Sequence, residues 1–198
     1  MSFAIRKGIR YMDNEYAILE DSVRNTFGSV VWSHKIQEKQ ADIYFSQYKC
    51  METIKIATAS LTSVGIVSLI FTDHMWLKVL SAFISFISVF ISAFFKSFDL
   101  QTLISTHNNS AQKLLTIRDD LKLLLMLIHL KQKTVNELTD KYQEIVEKLD
   151  ALYAEAPRTT DKAVEKARIA LNIEHDNQFT NEEINCNLPS SLHRRQEK

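Results

Sequence analysis

The distribution of apolar and polar positions divides this chain into two regimes. Ile56 to Thr72 and Val79 to Phe95 contain no ionisable residue, while the sequence on either side is dense with charge. Each apolar stretch runs about seventeen residues, near the lower limit for a helix crossing the ~30 Å hydrocarbon core of a bilayer. The first extends backwards to Ile54, and the second begins as early as Met75, Trp76 and Leu77. Only Thr72, Asp73 and His74 remain for the turn, so two helices here must return antiparallel. One such run alone fits a buried core helix equally well. Two in tandem, flanked by lysines and with Trp76 at a boundary, fit lipid better. The expectation is a transmembrane hairpin of residues 54–72 and 76–95.

Beyond the hairpin a 3-4 apolar repeat passes through Leu114, Ile117, Leu121, Leu124, Ile128, Val135, Leu138, Tyr142, Ile145, Leu149 and Leu152, broken only at Lys131. Sustained over roughly five heptads, it predicts a coiled-coil helix. Its length would be roughly 60 Å at 1.5 Å per residue, with no proline before Pro157. Lys131 at a core position reads as a register device or as a side chain snorkelling at the seam edge. Upstream the same register passes polar His107 and Ser110 before reaching Leu103 and Leu100, which puts a polar layer between hairpin and coiled coil. Before the hairpin, Val23, Phe27, Val30, His34, Gln37, Ala41, Tyr44, Tyr48 and Met51 keep a weaker 4-3 rhythm.

These patterns define an all-α membrane protein: a two-helix transmembrane hairpin on a long cytosolic antiparallel helical stalk. Four parts are expected, an N-terminal helical segment 1–53, the hairpin 54–95, a coiled-coil helix 96–156, and short helices with a flexible tail 157–198. The distal helix is the longer one, so Leu138, Tyr142, Ile145, Leu149 and Leu152 would lack a partner from the same chain. They form the expected seam of a homo-oligomer. In the tail, Asp161 reads as the cap of a short helix through Leu171, and Thr180 with Glu183 as a capping box for another. His193-Arg194-Arg195 reads as a loose basic end.

The two apolar stretches have distinct faces. Ser81, Ser85, Ser88 and Ser92 are spaced four, three and four, which on a helix is one stripe. Phe83, Phe86, Phe90 and Phe94 form a second row. In the first stretch Thr58, Thr62 and Gly65 fall in register. Small and hydroxylated residues let helices approach closely, or they line water in an assembled pore. Two helices cannot enclose a lumen, so a pore would need several copies. With no ionisable residue in either stretch, a proton relay has no candidate.

Composition narrows the function classes. Three glycines and two prolines in 198 residues exclude loop-rich and sheet-rich designs. A formal net charge of zero gives no global field toward nucleic acid, and direct nucleic-acid binding is not expected. Cys50 and Cys186 read as free thiols in a reducing compartment. The first ten residues lack the apolar core of a signal peptide, so the first hairpin helix would be its own insertion signal. Lys39, Lys49 and Lys55 precede the hairpin and Lys96 follows it, against Lys78 beside Asp73 at the turn. The positive-inside rule then puts both termini in the cytosol.

Catalytic patterns are missing. Gly8, Gly28 and Gly65 stand alone, so no phosphate loop is present. His34 and Glu38 lie one helical turn apart, but two ligands do not make a metal site. His107-Asn108-Asn109-Ser110 assembles no nucleophile with base and acid. Arg118-Asp119-Asp120 reads as a solvated face with local ion pairs. No enzyme, catalytic residue, metal or cofactor is expected.

The order of certain residues does suggest a relative. Trp32-Ser33-His34-Lys35-Ile36-Gln37-Glu38-Lys39-Gln40-Ala41-Asp42 precedes a two-span hairpin. Phe95-Lys96-Ser97-Phe98-Asp99-Leu100 follows it, then His107 and Leu115-Thr116-Ile117-Arg118-Asp119. Over roughly Val23 to Tyr153 this resembles the SMODS and SLOG-associated two-transmembrane effectors, the SLATT family. The resemblance implies a bacterial inner-membrane effector of anti-phage conflict systems, working beside nucleotide second-messenger synthases or reverse transcriptases. Such effectors perturb the membrane so that an infected cell dies or stops growing. His34, His107 and Arg118 match recurring positions of the family and are expected to be structural or gating residues. The competing reading is a membrane-anchored coiled-coil scaffold that recruits a cytosolic partner through Leu138 to Leu152 and the tail.

Overall fold

A computed structural model describes residues 2–71, 74–176 and 179–193, with side-chain surroundings defined outside 2–13, 64–71 and 95–97. The described residues form six α-helices: α1 Ser2–Phe71, α2 Met75–Ser97, α3 Leu100–Leu130, α4 Val135–Glu155, α5 Asp161–Asn172 and α6 Asn181–Cys186, then a 3-10 turn Ser190–Leu192. No strand occurs among the described residues.

Helix α1 runs 70 residues without a break, about 105 Å at 1.5 Å per residue. Proline is absent from it, and its threonines and serines do not compete for the helical bonds. Thr53, Thr58, Thr62, Ser60 and Ser63 donate back to the carbonyl four residues earlier, the usual use of a mid-helix hydroxyl. The boundary expected at residue 53 is therefore no structural break. The turn expected at Thr72 and Asp73 lies outside the described residues, as do Arg194 and Arg195.

Side-chain bonds fix the topology. Tyr16 donates to the Lys133 carbonyl, His34 meets the Ala111 carbonyl, Gln37 meets His107 and Tyr48 meets Gln101. Rising numbers on α1 pair with falling numbers on α3, so the two are antiparallel. Against α4 both rise together: Thr26 with Tyr142, Ser33 with Tyr153, Gln37 with Pro157 and Gln40 with Thr160. Helix α4 thus lies parallel to α1, and the body is a helical bundle. Its core joins Leu19, Val23 and Val30 of α1 to Leu114, Ile117, Leu121, Leu124 and Ile128 of α3 and Leu138, Ile145, Leu149 and Leu152 of α4.

This corrects two expectations. The single coiled-coil helix over 96–156 is two helices folded on each other, entered through an extended Phe98 and an Asp99 N-cap that accepts from the Thr102 amide at 3.0 Å. Lys131 is neither a register device nor a seam residue. It caps α3 in the left-handed conformation, φ 48°, a way of ending helices that satisfies their last carbonyls. Its ammonium lies 5.6 Å from the Tyr16 ring centre. Thr134 and Glu137 then form a reciprocal capping box that starts α4. The expected oligomer seam is consequently used inside one chain. Leu138, Ile145, Leu149 and Leu152 are buried in the common core, and Tyr142 packs on its edge with its hydroxyl 2.7 Å from Thr26.

Helix α5 is capped by Thr160 rather than Asp161, with the Thr160 hydroxyl accepting from Ala163. Ala163, Ala167 and Ala170 bury its small-residue face, and α5 packs on α1. The Thr180–Glu183 capping box opens α6.

Candidate functional site

The apolar helix α2 packs on α1 and is two-faced. Ser81, Ile84, Ser85, Ile87 and Ser88 are half-buried and Ile91 is buried, while Trp76, Val79, Phe83, Phe86, Val89 and Phe90 are exposed. The serine stripe thus shares the protected face with isoleucines, except that Ser92 is exposed. Of the phenylalanine row, Phe94 turns inward enough to stack on Phe98, ring centres 4.6 Å apart. Thr58 and Thr62 are half-buried on α1. Gly65 lies within α1, where side-chain surroundings are outside the described set.

The hydroxyls divide into two kinds. Ser85 and Ser92 donate to the Ser81 and Ser88 carbonyls at 2.8 and 2.9 Å. The Ser81 and Ser88 hydroxyls make no hydrogen bond among the described residues. Residues Met75–Phe94 form a 20-residue window of mean hydropathy 2.1, of which 6 % is buried. Among the described residues it is the one helix long and apolar enough to cross a bilayer. The partner stretch, 54–72, runs into residues whose side chains are outside the described set. A soluble core helix would be mostly covered, and this one is not.

Next to this apolar pair, α1, α3 and the α4–α5 connection enclose a polar layer. His107 is 1 % exposed, and its Nδ1 hydrogen-bonds the Gln37 Oε1. Gln37 Nε2 donates to the Pro157 carbonyl at 3.2 Å, which leaves Oε1 as acceptor and makes His107 Nδ1 the protonated nitrogen. Desolvation pushes the His107 imidazolium below the ordinary histidine range, so the ring is neutral. Tyr44 packs against it at 5.5 Å between ring centres. Three positions along, Gln40 is fully buried. Its Oε1 accepts from the Thr160 amide and hydroxyl at 2.9 and 2.8 Å, while its Nε2 has no partner among the described residues. One residue of α1 therefore holds the cap of α5, and another holds Pro157.

A charged tether completes the layer. Lys35 is 3 % exposed and its ammonium donates to Glu38 at 2.7 Å and Asp176 at 3.0 Å. Burial alone would lower its pKa, but hydrogen bonds and charge from both carboxylates outweigh that and raise it. The Lys35 bond correspondingly holds Asp176 below the usual carboxylate range. His34 lies beside this pair, with Nδ1 3.0 Å from the Ala111 carbonyl and Nε2 3.6 Å from Glu38.

Of the three expected structural or gating residues, His34 and His107 meet in this layer, whereas Arg118 lies farther along α3 and pairs with Asp119 at 2.8 Å. Sequence reasoning missed Lys35, Gln40, Thr160 and Asp176. Lys35 and Gln40 lie off the apolar rhythm, and their partners are about 120 to 141 residues away, so no local pattern carries them. No group of three or more metal-binding side chains is found among the described residues.

The profile of the family described as SMODS and SLOG-associating 2TM effector domain family 4 matches residues 19–183. No curated protein and no solved structure matches the chain.

Proposed function

The chain belongs to the SMODS and SLOG-associating 2TM effector domain family 4, membrane effectors of conflict and defence systems, and from that premise we propose that it acts on the bacterial inner membrane. In this reading α2 and the C-terminal part of α1 span the membrane as a hairpin with both termini in the cytosol. Several copies assemble on a cytosolic signal, and the assembly opens a water path that kills or arrests the cell. The nucleotide second-messenger or reverse-transcriptase systems expected from the family would supply that signal.

One observation carries the reading. Ser81 and Ser88 sit half-buried beside α1 with unbonded hydroxyls, on a helix whose other face is bare phenylalanine. In hydrocarbon an unpaired hydroxyl costs free energy. Water or hydroxyls from a second hairpin would satisfy both groups. The bundle core already occupies Leu138, Ile145, Leu149 and Leu152, so assembly would run through the hairpin rather than through that seam. The scaffold alternative loses the same surface.

The test is membrane potential in expressing cells, read with a potential-sensitive dye. The parent should depolarise them. The double variant Ser85→Leu, Ser88→Leu should reach the membrane in equal amount and leave the potential intact. Equal depolarisation by the double variant would remove the stripe as the path.

A further inference from the structure

Helices α1 and α3 and the end of α5 enclose a cleft of 360 Å³, within the range of about 300–1,000 Å³ typical of small-molecule sites. Its lining is one-signed. Arg118, Lys122 and His175 face it with Phe27, Leu171 and Phe179, and no carboxylate is part of the wall.

Three features of the cleft point to a ligand. Arg118 and Lys122 are one turn apart and share a face of α3. The Arg118 Nε and Nη2 both donate to Asp119 Oδ1, at 3.0 and 2.8 Å, which holds the guanidinium and leaves its other donors unused. Lys122 is exposed and has no ion pair among the described residues. His175 has φ 52°, the left-handed residue with which the end of α5 closes, and it stands in the wall beside the two basic side chains. The turn is held on both sides by Glu174 N–H to Ile169 and Asp176 N–H to Ala170, and by the Asp176–Lys35 pair. Phe179 is 74 % exposed, an aromatic left bare beside cations. Phe27 supplies a half-buried second ring.

We propose that this cleft binds a nucleoside monophosphate, with the phosphate on Arg118, Lys122 and His175 and the base against Phe27 and Phe179. Two cationic side chains with an imidazole N–H beside them suit a phosphate better than a single carboxylate, and an aromatic wall suits a planar base. A lipid headgroup is out of reach, because Phe27 and Ile54 are separated by about 40 Å of α1 at 1.5 Å per residue. The site does not depend on how the hairpin behaves in the membrane.

Titration calorimetry on the full chain in detergent tests it, with AMP, GMP, CMP and UMP as probes and inorganic phosphate and adenosine in parallel. At least one monophosphate should bind saturably, about tenfold or more tighter than phosphate or adenosine. Lys122→Glu and Phe179→Ala, both at exposed positions, should each weaken it by about tenfold with an unchanged melting temperature. The proposal is overturned if no monophosphate binds below about 1 mM, if phosphate alone binds as tightly, or if either variant binds like the parent.

Discussion

Gln37 of α1 and His107 of α3 are joined by a buried hydrogen bond in which the amide oxygen takes the imidazole Nδ1 proton, while the same amide donates to Pro157. The bond would survive protonation of the ring at Nε2; what disfavours the charged form is burial, since the surroundings, Tyr44 and Gln37, supply no carboxylate to stabilise it. The folded pKa of His107 is depressed by desolvation, so the unfolded chain binds more protons as the pH falls below about 6.5. This contribution to stability is complete above that pH and is lost as pH falls toward the folded value. Melting followed by circular dichroism should show a lower midpoint at pH 5.5 than at pH 7.5. His107→Gln, which keeps a neutral donor but cannot titrate, should show a smaller drop. An identical drop in both proteins would place the acid sensitivity elsewhere.

Lys35 and Asp176 tie the start of the tail to α1 across 141 residues. Both carboxylate partners of Lys35 are more than a third exposed, so solvent screens the pair and its loss costs only about 1 kcal/mol. Asp176→Asn should therefore leave the global melting temperature nearly unchanged. Its signature is local: faster amide exchange over Ile169 to Asp176 than in the parent. Unaltered exchange there would mean that the alanine face of α5, and not the ion pair, holds the turn.

Gly28 sits in the middle of a 70-residue helix, and a Cβ added there meets nothing within 4 Å. Glycine pays excess chain entropy in a helix interior. Gly28→Ala should raise stability by about 0.5–1 kcal/mol, measured as a shift in the denaturation midpoint. A loss would indicate that this surface of α1 is covered in the assembled protein.

Thr134 and Glu137 start α4 by bonding each other's amides, at 2.9 Å for the Thr134 amide and 3.4 Å for that of Glu137. Removing the cap with Thr134→Ala should cost about 1 kcal/mol. The effect belongs to the contact of α4 with the core, so urea unfolding should report it as a lower midpoint at constant slope. No change in midpoint would show that packing alone sets the start of α4.

This turn also explains what the sequence concealed. From Ile128 to Val135 the apolar spacing is seven, and residues 131–134 replace one helical turn without shifting the phase. The repeat therefore reads straight through a reversal of direction. The legible signal was chemical: a lysine at an apolar position, then Thr134 three residues before Glu137 and just before an apolar run. The helical class, the apolar faces and the inward residues Leu114, Ile117 and Leu121 all followed from period alone, because period is a local property. Period also placed His107 and Ser110 in a polar layer, but not the rest of that layer, since Gln40 meets Thr160 and Lys35 meets Asp176 only after three helices have folded back. The basic cleft was hidden for the same reason; Arg118 looked like a solvated face until α5 brought His175 beside it.

Phe86 and Ser88 are two positions apart on α2 and differ in what surrounds them: the phenylalanine is exposed and the serine half-covered. Phe86 also stands at the midpoint of Met75–Ser97, where a charge is most costly in lipid. Phe86→Asp should raise the free energy of insertion by about 3 kcal/mol, while Ser88→Ala, which removes an unbonded hydroxyl, should leave insertion unchanged. Alkaline extraction of cell membranes separates the cases. The parent and Ser88→Ala should remain in the pellet, and Phe86→Asp should be extracted or degraded. Retention of Phe86→Asp at the level of the parent would show that this aromatic face meets protein or water rather than lipid, because neither hydrocarbon nor a snorkelling route accommodates a short carboxylate at that depth.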